Sequence, residues 1–363
     1  MGSRFIRPVN DFAVKSVDSK LFSASQRSPI IQLIMVMAGA RQTSILNPSL
    51  DYSYRCGQIG IRSSSFMNGL GPLLGVRIFV GSTAQIQDRS VAIEFLVEDV
   101  HNAFDERAVL LGVSLHANRG EVVAIVGGSG CGKTVLLNQI LGLLEPDRGR
   151  VLAANHNFAD APLADLSEAT QQELEQIHVH WGVVFQRNAL FSGTVYDNMA
   201  LWLDEIRHLK EHDIDAVLER SLRAVGLPCD ETFLALDHES LSGGMAKRLA
   251  LARALAMDPM VLFYDEPTTG LDPTSAAQIQ TLIHATHQNT VSGARTTIIV
   301  THDKDLLSRL RPRTVMLHDG LVFFDGPFED FAASDSPTIR PYFDLMPVLH
   351  RRAETAAPRS VPD

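Results

Sequence analysis

Residues 120–144 read GEVVAIVGGSGCGKTVLLNQILGLL, in which a glycine-rich stretch separates two apolar runs. The first run is short and rich in β-branched residues, which is typical of a strand that is buried on both faces. The second run is longer and predicts a helix. The segment GGSGCGKT between them matches G-x-x-x-x-G-K-[ST] in the strand–loop–helix setting that gives this pattern its meaning. This stretch therefore predicts a phosphate-binding loop.

Eight residues form the loop, and they are the first predicted nucleotide ligands: Gly127, Gly128, Ser129, Gly130, Cys131, Gly132, Lys133 and Thr134. Glycines let the backbone wrap around phosphates, and the N–H groups at a helix start supply partial positive charge. Lys133 can reach the β and γ phosphates of ATP, and the Thr134 hydroxyl can ligate Mg²⁺. Cys131 has two readings: a small residue at a variable position, or a thiol whose oxidation or alkylation blocks nucleotide binding.

A second motif, which is acidic, follows the phosphate loop. The segment MVLFYDE at 260–266 predicts an apolar strand that ends in two carboxylates, the first of them 131 residues after Thr134. The carboxyl end of such a strand lies beside the phosphate loop in a parallel α/β sheet. Asp265 is then placed to hold Mg²⁺, directly or through water. Glu266 is placed one residue further on, where it can polarise the attacking water. The pair predicts a Mg²⁺ site with a carboxylate base beside it.

The order of predicted elements indicates an α/β fold. Strand-like runs at 91–100, 120–128, 180–186, 260–266 and 295–303 alternate with helical stretches at 168–176, 211–225, 244–256 and 273–287. Buried strands that alternate with helices predict a largely parallel sheet. Residues 188–240 are mostly helical and lie between two core strands, so we predict an inserted helical subdomain there.

The ends of the chain differ from this core, which we predict to span 91–345. Residues 1–90 carry ten Lys/Arg and four Asp/Glu, about +6, whereas the whole chain is at −10. Three readings stay open for this segment: a poorly ordered extension, a basic targeting segment, or sequence upstream of a misplaced start. Residues 346–363 lack periodicity and predict a disordered tail.

The composition also limits which partners and which structural classes fit this sequence. The net charge of −10 argues against a nucleic-acid partner. Three cysteines make no disulfide framework. No segment reaches the roughly 18–20 uninterrupted apolar residues that a membrane span requires.

Five motifs occur in an order that resembles the ABC-type ATPases, over about residues 91–343: GGSGCGKT, VVFQ, LSGGM, VLFYDEPTTGLD and VTHD. The resemblance implies the P-loop NTPase fold of that family. It also implies that Gln186 senses Mg²⁺ and water, and that His302 is the switch histidine that contacts the γ-phosphate. Phe104 resembles the aromatic residue that stacks on adenine, although a lone phenylalanine before a strand is also typical of a core.

The signature motif implies a second copy of the chain. Ser242, Gly243 and Gly244 form a turn at the start of a predicted helix, which presents free N–H groups to an anion. In ABC ATPases, the signature of one copy closes over the nucleotide of the other, and a loop that here ends at Asp272 communicates between the two sites. With one phosphate loop and one signature, the resemblance implies a homodimer that sandwiches two ATP molecules.

The residue after the signature bears on the cargo. Methionine, here Met245, is frequent at this position in the ATPases of Mla/Mce-type lipid transporters. The segments FQRNALFSGTVYDNMAL and SPTIRPYFDLMP also resemble that group, although LFSGTVYDN is a residue or two shorter than usual. The resemblance implies an ATPase on the cytoplasmic face of the cell membrane that powers phospholipid transport through a separate permease. A lipid-binding Mce-type protein is a further implied partner.

Other interpretations stay open at this point. Met245 can also reflect ordinary drift at a helix interface. The cargo can instead be a polar solute such as an amino acid, imported through another permease. A soluble ABC ATPase of translation or DNA repair is the third function, but those proteins usually carry two cassettes, coiled coils or clustered cysteines, which this sequence lacks.

Overall fold

A computed structural model describes residues 92–104, 107–288 and 295–346. Within them, four strands form an antiparallel sheet in the order β2-β1-β4-β5. These strands are β1 (Ile93–Phe104), β2 (Arg107–Asn118), β4 (Arg148–Ala154) and β5 (Leu163–Asp165). Burial alternates along much of β2, because one face of this sheet covers the core and the other is solvated.

A second, six-stranded sheet carries the nucleotide motifs, in the order β10-β9-β3-β8-β7-β6. It consists of β3 (Val122–Gly127), β6 (Trp181–Val184), β7 (Val261–Asp265), β8 (Thr296–Val300), β9 (Arg313–His318) and β10 (Leu321–Pro327). The pairs β6–β7, β7–β8, β8–β3 and β3–β9 are parallel, and β10 is antiparallel to β9. Every residue of β7 and β8 is buried, as expected for parallel strands that are covered on both faces.

Ten α-helices connect and cover these strands in the described residues. They are α1 (Lys133–Ile140), α2 (Gln171–His178), α3 (Val195–Glu205), α4 (Glu211–Ala224), α5 (Glu231–Leu234), α6 (Gly243–Ala256), α7 (Pro273–Gln288), α8 (Lys304–Leu310), α9 (Phe328–Ala332) and α10 (Ile339–Leu345). Capping residues fix several of the starts. Thr194 and Asp197 form a reciprocal capping box at α3, for example. None of the described helices is long and apolar enough to cross a membrane.

The core divides into distinct clusters. Between the two sheets, the rings of Phe95, Trp181 and Phe263 contact one another with centroids 5.2–5.4 Å apart. A second cluster joins α3, α4 and α6 through residues such as Met199, Leu218 and Leu249. The signature helix α6 therefore packs with the helices of the predicted subdomain.

The structure confirms the predicted fold class and differs in one part of the sheet. The run at 91–100 lies in β1 of the separate antiparallel sheet, and not in the parallel sheet with the other four runs. Five strands, β2, β4, β5, β9 and β10, were not predicted. Residues 1–91 and 347–363 lie outside the described part, and with them the predictions for the extension and nearly all of the tail.

Candidate functional site

The predicted site residues follow the carboxyl ends of neighbouring parallel strands. In the register of the sheet, Val184 lies beside Tyr264, Asp265 beside Val300, and Val300 beside Ile125. Residues just beyond these positions share one edge of the sheet, the edge where parallel α/β folds place their ligands. This edge carries Gln186 after β6, Asp265 and Glu266 at the end of β7, His302 after β8 and the phosphate loop after β3.

The glycines of the phosphate loop are required by space as well as by conformation. A β-carbon on Gly127 would lie 2.4 Å from the Leu317 carbonyl oxygen and 2.6 Å from Cys131 Sγ. One on Gly132, whose φ is +100°, would lie 2.6 Å from the Leu110 side chain. At Gly130, by contrast, a β-carbon would meet nothing within 4 Å. The loop is thus pinned at its two ends and open in between, where phosphates would lie.

Lys133 extends across this loop. Its Nζ donates hydrogen bonds to the carbonyl oxygens of Gly127 and Gly128, at 2.8 and 2.9 Å, and lies 4.0 Å from Cys131 Sγ. The pKa values of Asp265 and His302 are both raised, by burial and by a hydrogen bond to Glu266 respectively, and the positive charge of Lys133 opposes both increases. The ammonium therefore lies at the centre of the site. The structure leaves both readings of Cys131 open, because the thiol lies beside this ammonium and is partly buried.

The two acids at the end of β7 have different environments. Burial raises the pKa of Asp265 to about 6, the charge of Glu266 adds to this increase, and Lys247 and Lys133 oppose it. Glu266 has a left-handed backbone, with φ 45°, and its N–H donates to the Val300 carbonyl oxygen at 2.8 Å. A left-handed backbone at a residue other than glycine destabilises the fold by roughly 1–3 kcal/mol, and such strain often occurs at functional sites.

His302 and Glu266 form a direct pair, with His302 Nδ1 2.7 Å from Glu266 Oε2. This hydrogen bond is the main reason why the pKa of His302 is raised, and burial opposes it. The imidazole is still 45% exposed, so it reaches from the carboxylate into solvent at the sheet edge. The pair brings together the predicted base and the predicted switch histidine.

Asp303, which sequence reasoning did not single out, directly follows that histidine. Its buried carboxylate accepts hydrogen bonds from the Thr268 hydroxyl and the Gln280 side-chain amide, each at 2.8 Å. The other carboxylate oxygen caps α8 by accepting the N–H groups of Asp305 and Leu306. Asp303 thus joins the loop after β7 to the turn after β8. The sequence feature that could have indicated Asp303 is an aspartate directly before a helix, which is typical of an N-terminal cap.

Lys247 on the signature helix holds the backbone around Gln186, and sequence reasoning missed it as well. Its side chain is 2% exposed, and Nζ donates to the carbonyl oxygens of Phe185 and Gln186 at 2.9 and 2.8 Å. Burial lowers the pKa of Lys247 to about 8, and Asp265 opposes this. The Gln186 side chain itself is exposed. The two hydrogen bonds of Lys247 therefore link the signature helix α6 to the backbone of the predicted sensor loop.

Phe104, the predicted adenine-stacking residue, is the last residue of β1. The side chain is 49% exposed and lines a cleft of about 760 Å³ together with residues of the phosphate loop and of β2. Arg107, Val109, Lys133 and Thr134 are among the residues that line this cleft. The exposure disfavours the core reading of Phe104 and leaves its ring free to stack on a base.

The signature residues form the start of α6. Ser242 caps the helix by accepting the Met245 N–H at 3.3 Å, and both Ser242 and Gly243 are exposed. A β-carbon on Gly244 would lie 2.6 Å from Ser275 Oγ, so the glycine permits the close approach of α7. In the described residues, no hydrogen bond or ion pair joins 242–244 to 127–134. Ser242 and Gly243 are thus exposed, and the described signature residues make no such contact with the loop of their own chain.

Asp272 lies next to this surface and caps α7. Its carboxylate accepts the backbone N–H groups of Thr274 and Ser275, each at 3.0 Å. Hydrogen bonding to Ser275 holds the pKa of Asp272 below its usual range. Asp272 is exposed, as are Ser242 and Gly243.

Met245 is partly buried and packs against the helical cluster, as the helix-interface reading expects. The aromatic residues after Gln186 are half-buried rather than free. Arg253, for example, lies over the Phe191 ring at 5.2 Å from its centroid. Packing therefore accounts for much of the aromatic surface of this segment.

The oxygen donors near the phosphate loop fit Mg²⁺. Thr134 offers a hydroxyl, Gln186 an amide oxygen and Asp265 a carboxylate, which are the hard ligands this ion prefers. Among the described residues, no group of three or more His, Cys, Asp or Glu could hold a metal.

Comparisons with known proteins agree with this geometry. The family described as "ABC transporter" matches residues 110–269. The chain is 33% identical to the Arabidopsis thaliana protein TRIGALACTOSYLDIACYLGLYCEROL 3, chloroplastic, over 70% of this chain and 74% of that one. It is 34% identical to the intermembrane phospholipid transport system ATP-binding protein MlaF of Haemophilus influenzae, over 63% and 82% of the two chains.

The chain is also similar to a protein named for amino-acid transport and to solved ABC cassettes. The histidine transport ATP-binding protein HisP of Pseudomonas aeruginosa is 31% identical, over 68% of this chain and 96% of that one. A dimeric post-hydrolysis structure of the ATP-binding cassette MJ0796, bound to ADP and Pi, superposes with a TM-score of 0.55 at 27% identity. It covers 64% of this chain and 98% of MJ0796.

Proposed function

The chain belongs to the ABC transporter family of ATP-hydrolysing subunits, and from that premise we propose that it powers phospholipid transport through a separate transmembrane permease. The observation that carries the cargo is the similarity to MlaF, a protein named for phospholipid transport, over 82% of its length. The Met245 position and the segments around Gln186 support the same group. We place the protein at the cytoplasmic face of the cell membrane, with an Mce-type lipid-binding protein as a further partner.

The residue roles follow from the arrangement at the sheet edge. Residues 127–134 would bind the phosphates of ATP, and Phe104 would stack on the base. Glu266 would accept the proton of the attacking water while His302, which pairs with it at 2.7 Å, contacts the γ-phosphate. Thr134, Gln186 and Asp265 would hold Mg²⁺, which when bound neutralises charge on the β and γ phosphates.

A second copy of the chain would complete each site. Ser242 and Gly243 are exposed at a helix N-terminus and make no hydrogen bond to the described phosphate loop of their own chain, so they are free to meet the γ-phosphate held by a partner. The dimeric structure of MJ0796 with ADP and Pi supports this assembly. We propose a two-fold homodimer that tightens with ATP and loosens after hydrolysis.

The helical part of the chain offers a surface for the permease. A cleft of about 540 Å³ lies between α3, α4 and α5, with Leu218 and Leu222 among its apolar residues. Carboxylates of Glu211, Asp215 and Glu231 also line it, which gives the cleft a negative rim. We propose that this part of the chain contacts the permease, since it includes Tyr196 from the segment after Gln186.

The test of the cargo is co-purification. The tagged full chain, extracted from membranes in mild detergent, should bring down a permease and phospholipid that mass spectrometry identifies. Recovery of a solute-binding protein without lipid would favour the second candidate, an importer for a polar solute such as an amino acid. The similarity to HisP, over 96% of that protein, is the observation behind this second candidate.

A further inference from the structure

A tyrosine near the end of the described chain touches the start of the phosphate loop. The Tyr342 hydroxyl accepts a hydrogen bond from the Gly127 N–H at 2.9 Å, across 215 residues of sequence. The Tyr342 ring packs edge-on to Phe331, with centroids 6.4 Å apart. Burial raises the pKa of Tyr342 to about 12, and the charges of Glu266 and Cys131 add to this, whereas the Gly127 N–H opposes it. The hydroxyl therefore stays protonated at neutral pH.

The next residue of α10, Phe343, contacts Lys304 at the start of α8. Lys304 Nζ lies 4.0 Å from the centroid of the Phe343 ring and 3.5 Å from the Phe343 carbonyl oxygen. Lys304 begins α8 and comes two residues after His302. The helix α10 thus contacts both the start of the phosphate loop and the segment that carries the predicted switch histidine.

Gly127 is the point at which this contact can act. Its carbonyl oxygen accepts a hydrogen bond from Lys133, and a β-carbon at this position would lie 2.4 Å from the Leu317 carbonyl oxygen and 2.6 Å from Cys131 Sγ. The Tyr342 hydroxyl is the partner of its N–H at the end of β3. Removing the hydroxyl would leave that part-buried N–H without this partner. The peptide that begins the loop would then be held less firmly.

We propose that Tyr342 is a positioning residue of the ATPase, whose hydroxyl fixes the first peptide of the phosphate loop and so sets where Lys133 meets the phosphates. The seating of α10 then tunes the affinity for ATP. The proposal rests on the proposed assignment of residues 127–134 to phosphate binding. It does not depend on the identity of the cargo.

The test compares two variants of the full-length protein. Tyr342→Phe keeps the ring and its packing and removes only the hydroxyl. Arg340→Ala is the matched control, because it breaks the exposed pair of Arg340 with Asp344 (3.1 Å) on the same helix. Each variant is assayed for kcat and KM with ATP, for its melting midpoint, and for the rate at which N-ethylmaleimide modifies Cys131, resolved by peptide mass spectrometry against Cys229.

We expect Tyr342→Phe to raise KM roughly five- to tenfold, the lower end of the effect of an unsatisfied buried N–H, because this N–H is only part-buried, with kcat changed less than about twofold. Modification of Cys131 should be several-fold faster, while Cys229 is unaffected. Arg340→Ala should match the wild type in KM and in the rate of Cys131 modification. Wild-type KM and wild-type Cys131 reactivity in Tyr342→Phe would overturn the proposal, and so would equal changes in the two variants. If Lys133→Ala binds ATP as tightly as the wild type, the assignment of the loop fails instead.

Discussion

Replacing Lys247 with methionine should separate the stability of this protein from its activity. The lysine is buried, and its Nζ donates to the carbonyl oxygens of Phe185 and Gln186 at 2.9 and 2.8 Å. Methionine fills nearly the same space without the charge, so the variant removes the two hydrogen bonds and little of the packing.

Two opposing free energies decide the effect on stability. The fall of the Lys247 pKa from 10.5 to about 8 means that burial disfavours the charged form by about 3 kcal/mol at neutral pH. Methionine relieves this cost. It also loses two hydrogen bonds from a charged donor, each worth about 1.5–3 kcal/mol. We therefore expect the free energy of unfolding at pH 7 to fall by only about 0–3 kcal/mol.

The sign of the pH dependence follows from the same pKa. Between about pH 8 and 10.5 the unfolded chain binds more protons at Lys247 than the folded chain does, so wild-type stability gains with rising pH across that window. The gain should be absent from Lys247→Met. Urea unfolding of both proteins at pH 7.5 and 9.5 measures the difference.

The effect on catalysis should be larger. Because the backbone at Gln186 loses its anchor on the signature helix, we expect kcat to fall by roughly tenfold or more, as small displacements of positioned groups typically cause. Lys210→Met, an exposed lysine at the start of α4, is the matched control and should keep the wild-type rate. An unchanged kcat in Lys247→Met would refute the proposed link between the signature helix and the loop of Gln186. A fall in the free energy of unfolding of more than about 5 kcal/mol would refute the expectation that relief of the buried charge offsets the two lost hydrogen bonds.

Three further predictions concern other residues. Glu266→Gln should still bind ATP but lose turnover by at least about a hundredfold, and it should accumulate as a dimer with ATP in light scattering; near-normal turnover would remove Glu266 as the base. Gly244→Ala should lower the unfolding free energy by about 1–3 kcal/mol, since its β-carbon would lie 2.6 Å from Ser275 Oγ, and an unchanged melting curve would contradict that contact. Burial lowers the pKa of His178 to about 4, so between pH 6.5 and 4 the wild type should lose up to about 3 kcal/mol more stability than His178→Leu; parallel losses would count against it.

The parts of the site that the sequence predicts are those carried by local pattern. A buried strand, a glycine-rich loop and a lysine–threonine pair lie within one short stretch, so residues 127–134 are recognisable without any tertiary information. Asp265 and His302 each end an apolar run, and parallel strands bring such ends to one edge. The structure places these residues together as that reasoning expects.

The parts that sequence reasoning missed depend on contacts between distant segments. Lys247 meets Phe185 across 62 residues, Asp303 meets Thr268 across 35, and Tyr342 meets Gly127 across 215. Periodicity reports whether a side chain is buried, and it does not report its partner. The sequence likewise does not separate β1 from the parallel strands, because an apolar run does not reveal which sheet its strand joins.

The claim that each ATP site needs two copies of this chain can be tested directly by mixing two inactive variants. Lys133→Ala has a disabled phosphate loop and an intact signature, whereas Ser242→Arg has the reverse. If the sites are shared, heterodimers of the two contain one complete site, and the equimolar mixture should recover roughly a quarter of wild-type ATPase activity from random pairing. Activity no greater than that of the two variants measured separately would contradict a site built from two copies.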